Sequence, residues 1–185
     1  MGLEDNINTE YGIECFYRKD YKKALSCFFA ALSQNLEDSN NYYNIAITYE
    51  ALGETELARV FYEQSLQLNP SNTRTLNNLA VMSKNTGDIQ KYIQYLDKAL
   101  ETNPDDAEAY SQFGEYYRGK KDYITAENYY QKAAKLDPNF FYNYYNLAVL
   151  YLETNEKQKA KECLEKCLNI KKDFTPALDL IKHCQ

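Results

Sequence analysis

The sequence predicts an all-α solenoid of stacked helical hairpins, and three observations carry that prediction. Pro70, Pro104 and Pro138 stand 34 residues apart and close near-copies of one pattern: Leu66-Gln67-Leu68-Asn69-Pro70, Leu100-Glu101-Thr102-Asn103-Pro104 and Ala134-Lys135-Leu136-Asp137-Pro138. Blocks of 34 residues counted from Asp5 run without insertion or deletion, as 5–38, 39–72, 73–106, 107–140 and 141–174. Each block holds two apolar runs at helical spacing, parted by a polar break. A fixed period in this range marks units that bury their apolar faces on one another. Such arrays build extended surfaces rather than closed catalytic pockets.

Each element has its own local signals. The breaks inside the blocks are Arg18-Lys19-Asp20, Leu52-Gly53-Glu54, Thr86-Gly87-Asp88, Lys120-Lys121-Asp122 and Asn155-Glu156. Gly53, Gly87 and Asn155 suit the left-handed conformation that ends a helix, while Lys19 and Lys121 hold the same place with less ease. The acidic residue that comes next can cap the second helix or favour its N-terminus by charge. The prolines end that second helix. Small residues recur where helices approach: Gly12, Ala46, Ala80, Gly114 and Ala148 on first helices, and Ala24, Ala58, Ala126 and Ala160 on second helices. Between them stand large residues, among them Tyr11, Ile45, Leu79, Phe113 and Leu147. Block three departs from the pattern, with Tyr92 where its neighbours have Ala and Ser83 where they have Tyr49 and Tyr117. The expectation is that the Tyr92 ring fills the volume Ser83 vacates. Residues 175–185 form a short closing helix, with Thr175 as N-cap, Pro176 in the first turn, and Leu178 and Ile181 covering the end of block five.

Composition narrows the function. The chain has 185 residues, 44% hydrophobic, and a net charge of −6, so a phosphate backbone is repelled and nucleic acid is excluded as a partner. No apolar stretch approaches the roughly 18 residues of a spanning helix, so no membrane insertion is expected. The acidic N-terminus is wrong for a secretory signal. Gly2 raises N-myristoylation, but Asn6 stands where that motif wants Ser or Thr. Five cysteines, an odd number without a signal, point to reduced thiols and a cytoplasmic location. Catalysis finds little support: His183 is the single histidine, and no Gly-rich phosphate loop is present. Cys163, Cys167, His183 and Cys184 fit no usual zinc spacing, and Cys167 falls in a small-residue packing column. No metal and no cofactor are expected.

The period, the small and large columns and the closing prolines resemble the tetratricopeptide repeat family over residues 5–174. The family's tryptophan near the start of the first helix is replaced by Tyr42, Leu76, Tyr110 and Tyr144, and Leu36 and Lys172 stand where the closing proline would be. The resemblance implies a right-handed superhelix of five hairpins whose first helices line a concave groove. Carried over, one groove column holds Glu10, Asn44, Asn78, Gln112 and Asn146. It is similar to the asparagine ladder of the O-linked N-acetylglucosamine transferases, where such amides hold an extended peptide. An amide offers both donor and acceptor to a peptide unit. The other reading of this column is that its amides solvate the groove or bond within their own repeats. Flanking positions would set specificity: Tyr43, Ile47, Val81, Lys84, Arg118, Tyr142, Tyr145 and Val149, beside Arg74. The family's clamp for carboxylate tails needs several cationic donors, and only Asn44 with Arg74, or Asn78 alone, survives here. The implied function is a non-catalytic adaptor or scaffold that binds an extended peptide segment of a protein partner. The alternatives are self-assembly, as a homodimer through the C-terminal end, and an accessory domain of a longer protein.

Overall fold

The computed structural model describes residues 3–184, with side chains described from residue 7. Gly2, with the acylation reading, and Gln185 of the closing segment lie outside the described residues. Helices come in consecutive pairs: α1 (Leu3–Tyr17) with α2 (Tyr21–Gln34), α3 (Ser39–Ala51) with α4 (Thr55–Leu68), and α5 (Thr73–Asn85) with α6 (Ile89–Thr102). Then come α7 (Ala107–Gly119) with α8 (Tyr123–Leu136), and α9 (Phe141–Glu153) with α10 (Lys157–Ile170). A short α11 (Thr175–Leu180) and a 3-10 turn (Ile181–Cys184) complete the order. The chain forms two compact units, Met1–Thr102 and Asn103–Gln185.

Every hairpin turns through one left-handed residue. Gly53 and Gly87 have φ of 82° and 80°, while Lys19, Lys121 and Asn155 have φ of 62°, 63° and 62°. A side chain there costs roughly 1–2 kcal/mol, so the two lysines are tolerated rather than preferred. The acidic residue after the turn behaves according to its length. Asp20 and Asp122 accept hydrogen bonds from the backbone N–H of Lys23 and Thr125, whereas Glu54 and Glu156 make no side-chain cap. The longer glutamates act on those helices through charge alone. The junctions between hairpins share another local device. The side-chain oxygens of Asn35, Asn69, Asn103 and Asp137 each accept from the backbone N–H two residues on, an Asx turn. Asn35 does this without a following proline, which is how Leu36 is accommodated.

The small columns let the helices close up. Ala24, Ala58, Ala126 and Ala160 are fully buried, as are Ala46, Ala80 and Ala148 on first helices. At two positions even alanine is too large: a Cβ on Gly12 would lie 2.6 Å from the Phe28 ring, and one on Gly114 would lie 2.5 Å from the Tyr130 ring. In the first unit the core is built around Phe28 and Ile45, and around Tyr62, Leu79 and Met82. In the second it is built around Tyr130, Leu147 and Leu150, and around Leu164, Cys167 and Phe174.

Four expectations are corrected. Tyr11 is not a core filler: it is 40% exposed, and the Lys23 ammonium sits 4.9 Å from its ring centre. Thr175 does not cap α11. The cap position falls on Phe174, whose burial holds the backbone extended at φ −76° and ψ 92°, so Thr175 is already helical. Leu178 stays exposed, and Ala177, Leu180, Ile181 and Cys184 face the core instead, the i, i+3, i+4, i+7 stripe of one helical face. Tyr92 is buried as expected, but the space beside Ser83 remains open as a cavity of about 240 Å³. The 92 and 83 side chains therefore do not simply exchange volume.

Candidate functional site

In the first unit the groove candidates gather on α3 and α5. Tyr43, Asn44 and Ile47 share one face of α3 and are half-buried. Together with Ile13 and Phe16 of α1 and Arg74 of α5 they line a cavity of about 200 Å³. The Arg74 guanidinium lies 4.8 Å from the Tyr43 ring centre, a cation–π contact that fixes both side chains at the cavity rim. Asn44 makes no side-chain hydrogen bond to another described residue, so its amide is presented to whatever enters. Asn78 differs. Its Nδ2 donates to the Tyr62 hydroxyl at 2.9 Å, and that hydroxyl donates to Glu50 at 2.7 Å. Val81 and Lys84 lie on the same helix as Asn78 and are half-buried.

In the second unit Asn146 of α9 donates through Nδ2 to the Ser111 hydroxyl at 3.2 Å. Gln112 is only 8% exposed, more withdrawn than the half-buried asparagines of the same column. Tyr142 and Tyr145 pack edge-on against Phe174, with ring centres 5.1 and 5.2 Å away. Val149 is half-buried one turn further along α9. Arg118 forms an ion pair with Glu153 and a hydrogen bond with the Tyr130 hydroxyl. Burial works against its charge, but Tyr130 and Glu153 outweigh that and raise its pKa. Arg118 is thus a neutralised structural cation rather than an open positive charge.

Sequence reasoning missed Tyr62 and Tyr130 as part of this surface. It placed both as core fillers in a column shared with Phe28, Leu96 and Leu164. Their rings are indeed buried, yet their hydroxyls emerge on the side of the first helices, where they meet Glu50, Asn78 and Arg118. The available signal was the residue type, because a buried tyrosine normally carries its oxygen to a partner. Burial first, then the Glu50 carboxylate, raise the Tyr62 phenol well above its ordinary range. Burial likewise pushes Tyr130 up to about 12, with Arg118 opposing. Both oxygens therefore remain protonated donors throughout the neutral range.

Comparison with known proteins bears on the fold. Three profiles described as tetratricopeptide repeat match residues 40–72, 73–106, and 95–128 with 129–162. A search of curated protein sequences found no match. Among solved structures, TTC0263, a thermophilic tetratricopeptide repeat protein of Thermus thermophilus, aligns with a TM-score of 0.80 at 20% identity, covering 97% of this chain and 98% of that one. A protein named YrrB, described as having an unusual peptide-binding site, aligns at 0.62 with 23% identity over 95% of this chain and 90% of its own. The Cut9–Hcn1 complex of the APC/C aligns at 0.83 with 22% identity over 96% of this chain and 35% of that one. At these identities the likeness shows the shared fold, and the profile matches span the middle of the chain from residue 40 to residue 162. The hairpin period, its left-handed turns and these matches agree: the chain belongs to the tetratricopeptide repeat family.

Proposed function

We propose that this protein is a non-catalytic adaptor that holds an extended peptide segment of a partner protein against the first helices of its hairpins. The five repeats of residues 5–174 would act together as the binding array. The observation that carries the reading is the Asn44 amide on the wall of the cavity lined by Ile13, Phe16, Ile47, Tyr43 and Arg74. A peptide unit needs one donor and one acceptor, and Asn44 offers both beside an apolar recess sized for a side chain. Asn78 contributes its Oδ1 as acceptor, since its nitrogen is held by Tyr62. The half-buried tyrosines 43 and 145 supply contact area at small rotamer cost. Among the described residues no helix is long and apolar enough to cross a membrane. YrrB, which shares the fold, is described by a peptide-binding site of its own.

The test is binding of a partner recovered from native lysate, compared between wild type and the variant carrying Asn44→Ala, Asn78→Ala and Asn146→Ala. The triple variant should weaken binding by about 2–4 kcal/mol, the sum of three ordinary hydrogen bonds. Unchanged binding with intact helicity would reject the ladder.

A further inference from the structure

A second cavity lies away from the surface just described, between α4 and α6 and above α5. It encloses about 240 Å³, and Arg59, Met82, Ser83, Thr86 and Tyr95 are among its walls. The repeat period gives this space an internal reference. Arg59, Met82, Ser83 and Thr86 stand 68 residues, two repeats, before Glu127, Leu150, Tyr151 and Thr154. Those four line the corresponding cavity of the second unit, which holds only about 100 Å³. The difference of about 140 Å³ coincides with the exchange of Tyr151 for Ser83. It is close to the ~150 Å³ of an apolar cavity known to admit a benzene ring.

The wall that would meet a ring is retained. At this repeat position Tyr49 stacks on Phe61 with centres 5.5 Å apart, and Tyr117 stacks on Tyr129 with centres 5.4 Å apart and planes 8° from parallel. The residue equivalent to Phe61 and Tyr129 is Tyr95, which keeps its aromatic face while Ser83 offers nothing to cover it. The Ser83 hydroxyl turns back to the Leu79 carbonyl of its own helix at 2.8 Å.

Polar groups specify the occupant further. In the second unit the Tyr151 hydroxyl donates to Glu127 at 2.6 Å. Arg59 takes the place of Glu127 here, so an oxygen at the tip of an entering ring would accept a hydrogen bond. Arg59 gives three of its N–H groups to Glu56 and Glu63, which leaves two of the five on its guanidinium. Around the mouth Glu56, Glu63 and Asp88 outnumber Arg59 and Lys91, a surplus of negative charge.

We propose that this cavity is a receptor for a tyrosine side chain of a partner protein, its ring stacked on Tyr95 and its hydroxyl on Arg59, with basic residues flanking it in the partner. The chain thereby presents outward, at one repeat, the recess its other hairpins fill with their own tyrosine.

The methyl resonances of Met82 and Leu79 report occupancy directly. Titration with acetyl-Lys-Tyr-Lys-amide should shift both. The same peptide with Leu for Tyr, or with Glu for both Lys, should bind about five- to tenfold more weakly, the scale of one aromatic pair or one favourable charge contact. Ser83→Tyr fills the recess from within and should abolish the shifts, whereas Ser83→Ala should leave them. Tyr95→Ala should weaken binding in a protein that needs no new ring accommodated. Equal affinity for the leucine peptide, persistence of the shifts in Ser83→Tyr, or tighter binding of free p-cresol than of the lysine-flanked peptide would overturn the proposal.

Discussion

Replacing Tyr62 by Phe isolates the one hydroxyl that ties the core to the candidate surface. The ring is fully buried and its shape is kept, so the change leaves no cavity. Two hydrogen bonds are lost, the donation to Glu50 at 2.7 Å and the acceptance from Asn78 at 2.9 Å. A bond to a charged group contributes about 1.5–3 kcal/mol and a neutral one about 0.5–1.5 kcal/mol. Glu50 is exposed and Asn78 half-buried, so water replaces part of both losses. The expected destabilisation is therefore about 1.5–2.5 kcal/mol, toward the lower end of that sum. In a chain of this size it corresponds to a fall in Tm of roughly 4–8 °C. Urea denaturation followed by far-UV circular dichroism, with the slope held constant, measures it. A double-mutant cycle with Asn78→Ala should return a coupling of about 1 kcal/mol. A loss below about 0.5 kcal/mol, or a cycle without coupling, would show that the hydroxyl does not hold Asn78 in solution. The same variant separates packing from recognition: Tyr62→Phe frees the Asn78 nitrogen and should not weaken peptide binding, whereas Asn78→Ala should.

Lys121→Gly relieves a left-handed side chain at φ 63°, so relief of roughly 1–2 kcal/mol less the entropy glycine adds to the unfolded chain gives a net gain of about 0.5–1 kcal/mol. The urea midpoint should rise, Lys121→Ala should show no gain, and a fall in the glycine variant would contradict the turn geometry. At alkaline pH, burial pushes Cys163 up to about 11 from an ordinary 9.0 and Tyr130 up to about 12 from an ordinary 10.0. The unfolded chain releases these protons first, so the stability they contribute is complete below about pH 9 and disappears as pH rises through 11 and then 12. Tyr130→Phe should flatten the upper part of that decline, and a stability that stays level from pH 9 to 12 would show these groups are not buried.

The features legible in the sequence are those written within a few residues of themselves. The apolar period marks each helix, and the left-handed residue with its neighbouring acid marks each turn, including Lys19 and Lys121, where the residue type argues against the conformation it adopts. The small columns were readable for the same reason, because helices can approach only where side chains are short. The Asx turns lay in the same Asn-Pro and Asp-Pro pairs that revealed the period, but proline drew the reading and the side-chain oxygen did not.

Pairings between helices belong to the tertiary structure. Asn44 and Asn78 occupy the same repeat position, yet one amide faces a cavity and the other is bound by a hydroxyl 16 residues away. The difference is made by the residue on the preceding second helix, Tyr62 beside Asn78 and Phe28 beside Asn44, and by the short distance that packing imposes. Tyr92 and Ser83 make the same point in volume. Residue sizes set the amount of space in a repeat, but only the direction of each Cα–Cβ bond decides on which side of the helix the space is filled. The amino-acid sequence alone therefore determined that these helices pair and where each turns. The three-dimensional packing decided which polar groups they leave for a partner and where one ring-sized recess remains.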